Sequence, residues 1–504
     1  PAHCEGRCTR LQRSADHCHY RLPFWCLEML NVAMQVVLEV CLLVLPTATI
    51  AWLTASFFTA ENAAHTADYF TVTPLPEIVW QIGLYAFVTS WATIILTSVL
   101  ICLFIRSTAA STGLYPSRGF TSSLLLYRIK KLNQIQRLWT WTITGQYLRA
   151  LAGMRFKRVG ASECDLMQNL VPELVSADSQ IFWSHGCFTN VLDHGAEYLK
   201  LSHLDMPANF FASNNCVAES GQLPVNFLLG VSTPGNDIRF RRQMRSRLSA
   251  PITVAGNPPL RFASANFESE NAAREMPGFP LFLARFALSD VFSIGLLPIA
   301  EVLVYTITYT ILLRYGEQPV ISALLALALT EGLLVAFCIL VKQVLVGRNW
   351  GSDHSASFWS WRHFTYFFAQ DCFFTWCRRP LRFVSGTVLA NSVLRRMGCR
   401  IGRRTVVSSP MQAFDWNAVS IGDDCVVDGM LQLHSFEHMM LKVKRTEIRS
   451  GCSINFGTTL MGGSVIEPGT TLLPLSLVLK GMNLPAATYQ GSPAEPAHTT
   501  RRFR

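Results

Sequence analysis

The chain is 504 residues long, half of them apolar and only 15% charged, with a formal net charge of +10. That length exceeds one compact domain and that oiliness excludes an ordinary soluble enzyme, so membrane spans are expected. The basic excess suits anionic headgroups rather than nucleic acid, and 15 cysteines with no CxxC pair read as free thiols facing a reducing compartment.

The chain begins at Pro1 rather than Met, which suggests a fragment or a processed product. Residues 1–30 form an N-terminal cytoplasmic segment with His3, Cys4, Cys8, His17, Cys18, His19 and Cys26, whose spacings match no common zinc finger, so no metal is assigned. A bilayer span takes about 20 largely apolar residues. Stretches 36–58 and 78–105 qualify within a first hairpin at 31–106, and 291–313 and 320–346 within a second at 285–347. The loop "TAENAAHTADYFTVTPLPE" holds no Lys or Arg, whereas Arg106, Arg118, Arg128, Lys130, Lys131, Arg348, Arg378 and Arg379 lie beyond the spans. The positive-inside bias therefore turns both hairpins outward and leaves every large segment cytoplasmic, with Trp52, Trp80, Tyr305 and Trp350 as interface anchors. Glu39, Glu301 and Glu331 fall within or at the ends of spans, where an exposed carboxylate costs on the order of 3 kcal/mol. They should face one another or a wet cavity, as a proton relay in a transporter or as interhelical hydrogen bonds otherwise.

After each hairpin comes an aromatic and basic segment, 107–160 and 348–397, exemplified by "LLLYRIKKLNQIQRLWTWTITG" and "FWSWRHFTYFFAQDCFFTWCRRPLRF". Such sequences suit helices at the headgroup level with cations snorkelling. Residues 161–232 follow as a first, degenerate β-coil, 233–284 as an exposed linker with "RFRRQMRSR", 398–485 as a second β-coil and 486–504 as a tail.

The second coil announces itself by period. Ile448, Ile454, Leu460, Ile466 and Leu472 recur every six residues, as do Gly451, Gly457, Gly463 and Gly469. An aliphatic residue inside and a small residue at each bend describe a triangular parallel coil of about 18 residues per turn. The series runs back through Ile421, Val427 and Leu433 and is broken by an extruded loop at "HSFEHMMLKVKRTE". An ungapped match 240 positions upstream carries Ile181 to Ile421, Cys187 to Val427, Val191 to Leu431, His194 to His434 and Glu197 to Glu437. "LRALAGMRF" near Arg149 and "LRRMGCRI" near Arg395 correspond too, so hairpin, interfacial helices and coil form a unit present twice.

Both extruded loops open with His-x-x-Glu and reach a lysine: His194, Glu197 and Lys200, then His434, Glu437 and Lys442. An imidazole can take a proton from an attacking amine or hydroxyl while a carboxylate fixes its tautomer, and acyl transfer from a thioester asks for little more than a base, an oxyanion donor and a groove. Lysine suits the phosphate of a pantetheine arm. His438 is a second candidate base, and hydrogen bonds that merely pin the loop are the structural alternative.

At "LVKQVLVGRNW", "LRRMGCRIGRRT", "DWNAVSIGDDCVVDG", "LQLHSFEHMMLK", "PLSLVLKG" and "YQGSPAE" the chain resembles the membrane C-terminal region of nonribosomal peptide synthetase-like proteins, the ε-poly-lysine synthetase type. The resemblance implies tandem hexapeptide-repeat acyltransferase-like domains alternating with transmembrane pairs, downstream of an adenylation domain and a phosphopantetheine carrier. Neither an adenylation motif nor a GGxS carrier sequence stands in this chain, so no covalent cofactor is expected and the pantetheine would come from a carrier in cis upstream or in trans. It further implies His434 as general base with Glu437 as its orienting partner, Lys442 near the donor, and His194, Glu197 and Lys200 as a duplicate or relict set. A mixed fold is expected: four transmembrane α-helical spans in two hairpins alternating with two left-handed parallel β-helix domains. The expected activity is acyl or aminoacyl transfer to an amine; a non-catalytic membrane scaffold docking a synthetase, or a transporter for its product, are the rivals.

Overall fold

The computed structural model describes residues 24–44, 48, 70–117, 119–160, 162–178, 181–223, 227–235, 252–255, 260–262, 278–316, 318–347, 353–410, 413, 415–437 and 440–497. Three of the helices there are long and apolar enough to cross a bilayer: Leu75–Ser107, Phe279–Arg314 and Pro319–Leu345, with mean hydropathies of 2.2, 1.8 and 2.5. The expected span at 36–58 lies largely outside the described residues; the helix Phe24–Glu39 leads into it and continues as wide turns through Val40–Val44. The helix Phe279–Arg314 is likewise wide-turned at Ala287–Leu296. Pro298 follows at once; lacking an N–H and crowding the carbonyl four residues back, it disfavours a regular α-turn there. Small residues let the spans approach: a Cβ on Gly295 would stand 2.3 Å from the Trp91 ring, and one on Gly83 3.2 Å from Leu303.

Glu39, Glu301 and Glu331 are paired with cations of the segments that follow. Arg379 donates to Glu301 at 2.7 Å and to Glu331 at 2.8 Å, joining the two carboxylates through one guanidinium. Lys131, buried, donates to Glu39. The aromatic-basic segments form the helices Phe120–Leu138, Ile143–Leu151, Trp361–Cys372 (continued through Phe373–Cys377) and Val388–Met397. Several of their large rings are buried: Trp139 Nε1 donates to Ser98 and Trp376 Nε1 to the Leu297 carbonyl, while Trp361 and Tyr147 are exposed. Asp290 of the third helix caps the helix Ile143–Leu151 by accepting from the Ile143 and Thr144 N–H groups.

In the hexad region the strands pair in parallel. Ile421, Ile448, Ile466 and Leu484 align on one parallel sheet, Val427, Ile454, Leu472 and Tyr489 on a second, and Leu431, Leu460 and Val478 on a third, and the chain visits the three in rotation. All of these side chains are buried. The bends need left-handed backbone, which Gly451, Gly457, Gly463 and Gly469 supply with φ between 70° and 83°. The break in the series is an antiparallel hairpin, His434–Glu437 with Met440–Lys444, extended by the strand Asp353–Ser357.

The first half repeats this plan. Its three parallel groups are Arg155–Phe156, Val175–Ala177, Leu204–Met206 and Gly221–Gln222; then Glu163–Cys164, Phe182–Trp183, Phe211–Ala212 and Phe227–Leu229; then Phe188–Thr189 and Val217–Ala218. A hairpin, Leu192–His194 with Tyr198–Leu201, again leaves the coil and again takes a strand from just after a span, Gly113–Pro116. In the expected linker, Ile252–Ala255 and Leu260–Phe262 lengthen one of these sheets. The two coils meet directly: the Phe182 and Phe436 rings are 4.5 Å apart, and Asn214 Nδ2 donates to Gln432 at 2.7 Å.

Candidate functional site

Two turns of the second coil bring the site together. Ahead of the strand Val419–Ile421 the chain makes a short 3-10 turn, Trp416–Ala418, entered through Asp415 in left-handed backbone (φ 57°, ψ 45°), a conformation that Asp tolerates. Its carboxylate is fully buried directly beneath the root of the hairpin that starts one turn later. There it accepts hydrogen bonds from His434 Nδ1 (2.8 Å to Oδ2, 3.0 Å to Oδ1), from the Leu433 N–H (3.0 Å) and from the Tyr366 hydroxyl. Three donors on one desolvated carboxylate fix the imidazole's plane and place its proton on Nδ1, which leaves Nε2 as the basic nitrogen. The His434 side chain keeps 13% exposure and Asp415 none. Burial and the Asp415 charge push the Tyr366 hydroxyl well above its ordinary value, so it stays a neutral donor.

Of the residues expected from sequence, His434 is seen against a carboxylate, and that carboxylate is Asp415. Glu437 closes the outer end of its strand, opposite Met440. Its side chain and all of His438 lie outside the described residues, as do His3, Cys4, Cys8, His17, Cys18, His19 and the Cys26 side chain. Lys442 pairs with Ser435 across the hairpin, and Lys480, from a later turn, donates to Ser435 Oγ at 3.2 Å, on the strand face opposite to His434. Among the described residues no cluster of His, Cys, Asp and Glu could hold a metal ion.

The first copy differs at the same place. His194, Glu197 and Lys200 are all exposed, Glu197 in the turn between the two hairpin strands. The register corrects the ungapped match. In the second copy the Lys444 N–H bonds the Leu433 carbonyl and the next pair outward is His434 with Val443; in the first, the Ser202 N–H bonds the Val191 carbonyl and the next pair is Leu192 with Leu201. Leu192 therefore stands where His434 stands, and Lys200 falls one pair out rather than opposite a Ser435 equivalent. Asp415 is replaced in the same way: its carbonyl takes the Ala418 N–H, as that of Val171 takes the Leu174 N–H. Leu192 and Val171 are buried, so the first coil holds apolar contacts at the site of the second coil's acid–imidazole pair. A separate pair, His185 Nδ1 to Asp165 Oδ2 at 3.1 Å, lies on the first coil with the histidine 73% exposed; the Asp165 hydrogen bond raises the His185 pKa against its partial burial.

Among proteins of known function, the chain is similar to the Delta-poly-L-ornithine synthetase of Acinetobacter baumannii (strain AB307-0294), with 24% identity over 454 residues. The aligned region covers 82% of this chain and 32% of that synthetase, so the chain spans about a third of that relative's length. The likeness supports the general synthetase relation that the sequence motifs imply. No family model matches the chain, and no solved structure matches it.

Proposed function

We propose that the protein transfers a carrier-bound acyl or aminoacyl group to an amine at the membrane surface, using His434 of the second coil as general base. The observation that carries this reading is the buried Asp415 carboxylate that holds His434 by Nδ1. The similarity to a poly-amino-acid synthetase supports a donor of the thioester class, delivered on a phosphopantetheine arm by a carrier that follows an adenylation domain. The chemistry balances on the residues present. The amine nitrogen attacks the thioester carbonyl, its proton passes to His434 Nε2, the C–S bond breaks as the amide C–N bond persists, and the imidazolium returns the proton to the leaving thiolate. Asp415 offsets the charge that His434 gains, and Lys442 and Lys480 suit the arm's phosphate. Both coils belong, on this view, to the left-handed hexapeptide class and face the cytoplasm, with the second coil as the catalyst and the first as its wall; His194 and Glu197 take no step.

His434→Ala in the full-length synthetase tests the proposal. Transfer of a radiolabelled aminoacyl group from the carrier thioester to an amine should fall by about 100-fold or more, the usual contribution of a positioned base, while loading of the carrier is unchanged. Transfer that persists at the wild-type rate would make the chain a docking scaffold instead.

A further inference from the structure

Beside the proposed base, on the other side of Phe436, lies a small, partly open pocket that no step above uses. It opens where four parts of the chain meet: Trp141 of the first half, Arg285 of the third helix, Phe358, His363 and Asp371 of the segment after the last span, and Phe436 of the hairpin. The His363 ring packs 4.3 Å from Phe358, 4.5 Å from Phe367 and 5.9 Å from Phe436, and the His434 ring is 5.4 Å from the same Phe436. The histidine is buried, yet its Nδ1 has no hydrogen-bond partner among the described residues. A polar nitrogen held dry without a partner is costly, and His363 is one of the residues that line the pocket, so a partner brought by a ligand would offset that cost.

We infer that this cavity receives the amine acceptor, its carbon chain lying along the aromatic walls and its nitrogen, uncharged, hydrogen-bonded to His363 Nδ1 within a ring's breadth of His434. The inference rests on the transfer reading and names the place and the residue that orient the nucleophile. An amine attacks only when it is unprotonated, and the Arg285 cation in the wall works against its protonation while Asp371, ionised above about 6, works for it. Arg285 lies over the Phe358 and Trp359 rings at 5.2 and 5.0 Å and donates to the Trp141 carbonyl at 3.1 Å, placing a fixed positive charge in the wall. Burial, that charge and the nearby His434 hold the His363 imidazole well below the ordinary histidine value, so it meets an amine as a neutral partner. Asp371, the cavity's carboxylate, accepts from Ser293 Oγ at 2.6 Å and is lifted to about 6 by burial. His363 is thus a positioning residue, distinct from the base.

Equilibrium binding of radiolabelled n-hexylamine to the detergent-solubilised chain, with n-hexanol as competitor, tests this directly. His363→Phe should weaken hexylamine binding by about tenfold, the worth of one hydrogen bond made in a dry site, and His363→Gln, which keeps a polar partner, should restore most of it. His434→Ala should bind hexylamine nearly as the wild type does while losing transfer, which separates the pocket from the base. In the transfer assay, His363→Phe should raise the KM for the amine and leave that for the donor unchanged. Absence of hexylamine binding, equal binding by His363→Phe, or hexanol competing as well as the amine itself would overturn the inference; hexylamine binding that depends on His363 with transfer intact in His434→Ala would overturn the base and leave the pocket.

Discussion

Asp415 shows how much a single buried carboxylate can decide. Replacing it by Asn keeps the shape but can present an amide N–H to His434 Nδ1, which moves the ring proton to Nε2 and removes the basic nitrogen from the side that must act. Asp415→Asn should therefore lower kcat for transfer by about 100-fold or more, with KM for the donor little changed. Tyr366→Phe should do far less to the rate: two donors still hold the carboxylate, and the cost should appear as about 1–2 kcal/mol of stability read from thermal unfolding. The sequence motif pointed to His434 with Glu437, and the carboxylate seen against His434 is Asp415. Glu437 is three residues away along a strand, whereas Asp415, 19 residues earlier, is brought underneath by one turn of the coil, a distance that spacing along the chain does not reveal. Its signal was present as an Asp opening a turn ahead of a hexad strand, in "DWNAVSI". A second residue carries a pH prediction. Burial raises the Asp371 carboxyl from its ordinary 3.8 to about 6, so between those values the folded state binds the proton that the unfolded state has lost. Stability should accordingly fall as pH rises from about 4 to 6, by on the order of 3 kcal/mol, and Asp371→Asn should flatten that slope and raise the melting temperature at pH 7. A wild-type melting temperature that climbs over this range would contradict it.

At the scale of elements, the second coil was legible because each of its requirements is written in a separate residue class. Aliphatics at every sixth position fill the stack and glycines take the left-handed bends. Leu475, with φ 63°, is the exception that tests the rule: it stands six residues after Gly469, where a glycine would be expected, with most of its side chain in solvent. Leu475→Gly should stabilise the coil by about 1 kcal/mol by releasing the strain of a branched residue at positive φ, measured as a higher thermal midpoint. The reverse is expected at Gly462, whose Cβ would stand 2.2 Å from the Leu433 carbonyl, the same oxygen that accepts the Lys444 N–H and roots the hairpin. Gly462→Ala should cost about 2–4 kcal/mol, because the clash is with backbone that cannot rotate away, and it should reduce transfer by displacing His434. The first coil was only partly legible since it meets the same demands with other residues. Asn169, Asn209 and Asn215 take the left-handed bends and Trp183, Phe210 and Phe227 fill the stack, so neither the glycine nor the aliphatic period survives. Insertions between its turns also shift the register, which is why the ungapped match placed His194 opposite His434 when hydrogen bonding places Leu192 there.

For the whole molecule, the seam between the two coils is a cluster of aromatic rings. Phe182 of the first coil is buried against Phe436 of the hairpin, with Phe358 and Trp141 on either side at 6.4 and 5.6 Å. Phe182 also stacks on Phe211 of its own coil at 5.6 Å, so it joins the first coil's packing to the hairpin of the second. Phe182→Ala should cost about 3–5 kcal/mol, the range for a buried aromatic deleted without repacking. That cost should fall on the coupling between the halves: in calorimetry in detergent the wild type should unfold in a single cooperative transition and the variant in two. Transfer should decline as well, although His434 and Asp415 remain bonded within the second coil, because the ring that backs Phe436 also backs the cavity wall. Phe436→Ala on its own should give a similar loss, and the double variant should lose less than the two singles added together, as expected for two residues that act through one contact. If Phe182→Ala instead melts in one transition at the wild-type temperature and transfers at the wild-type rate, the coils work independently and the first is not a wall of the second's site.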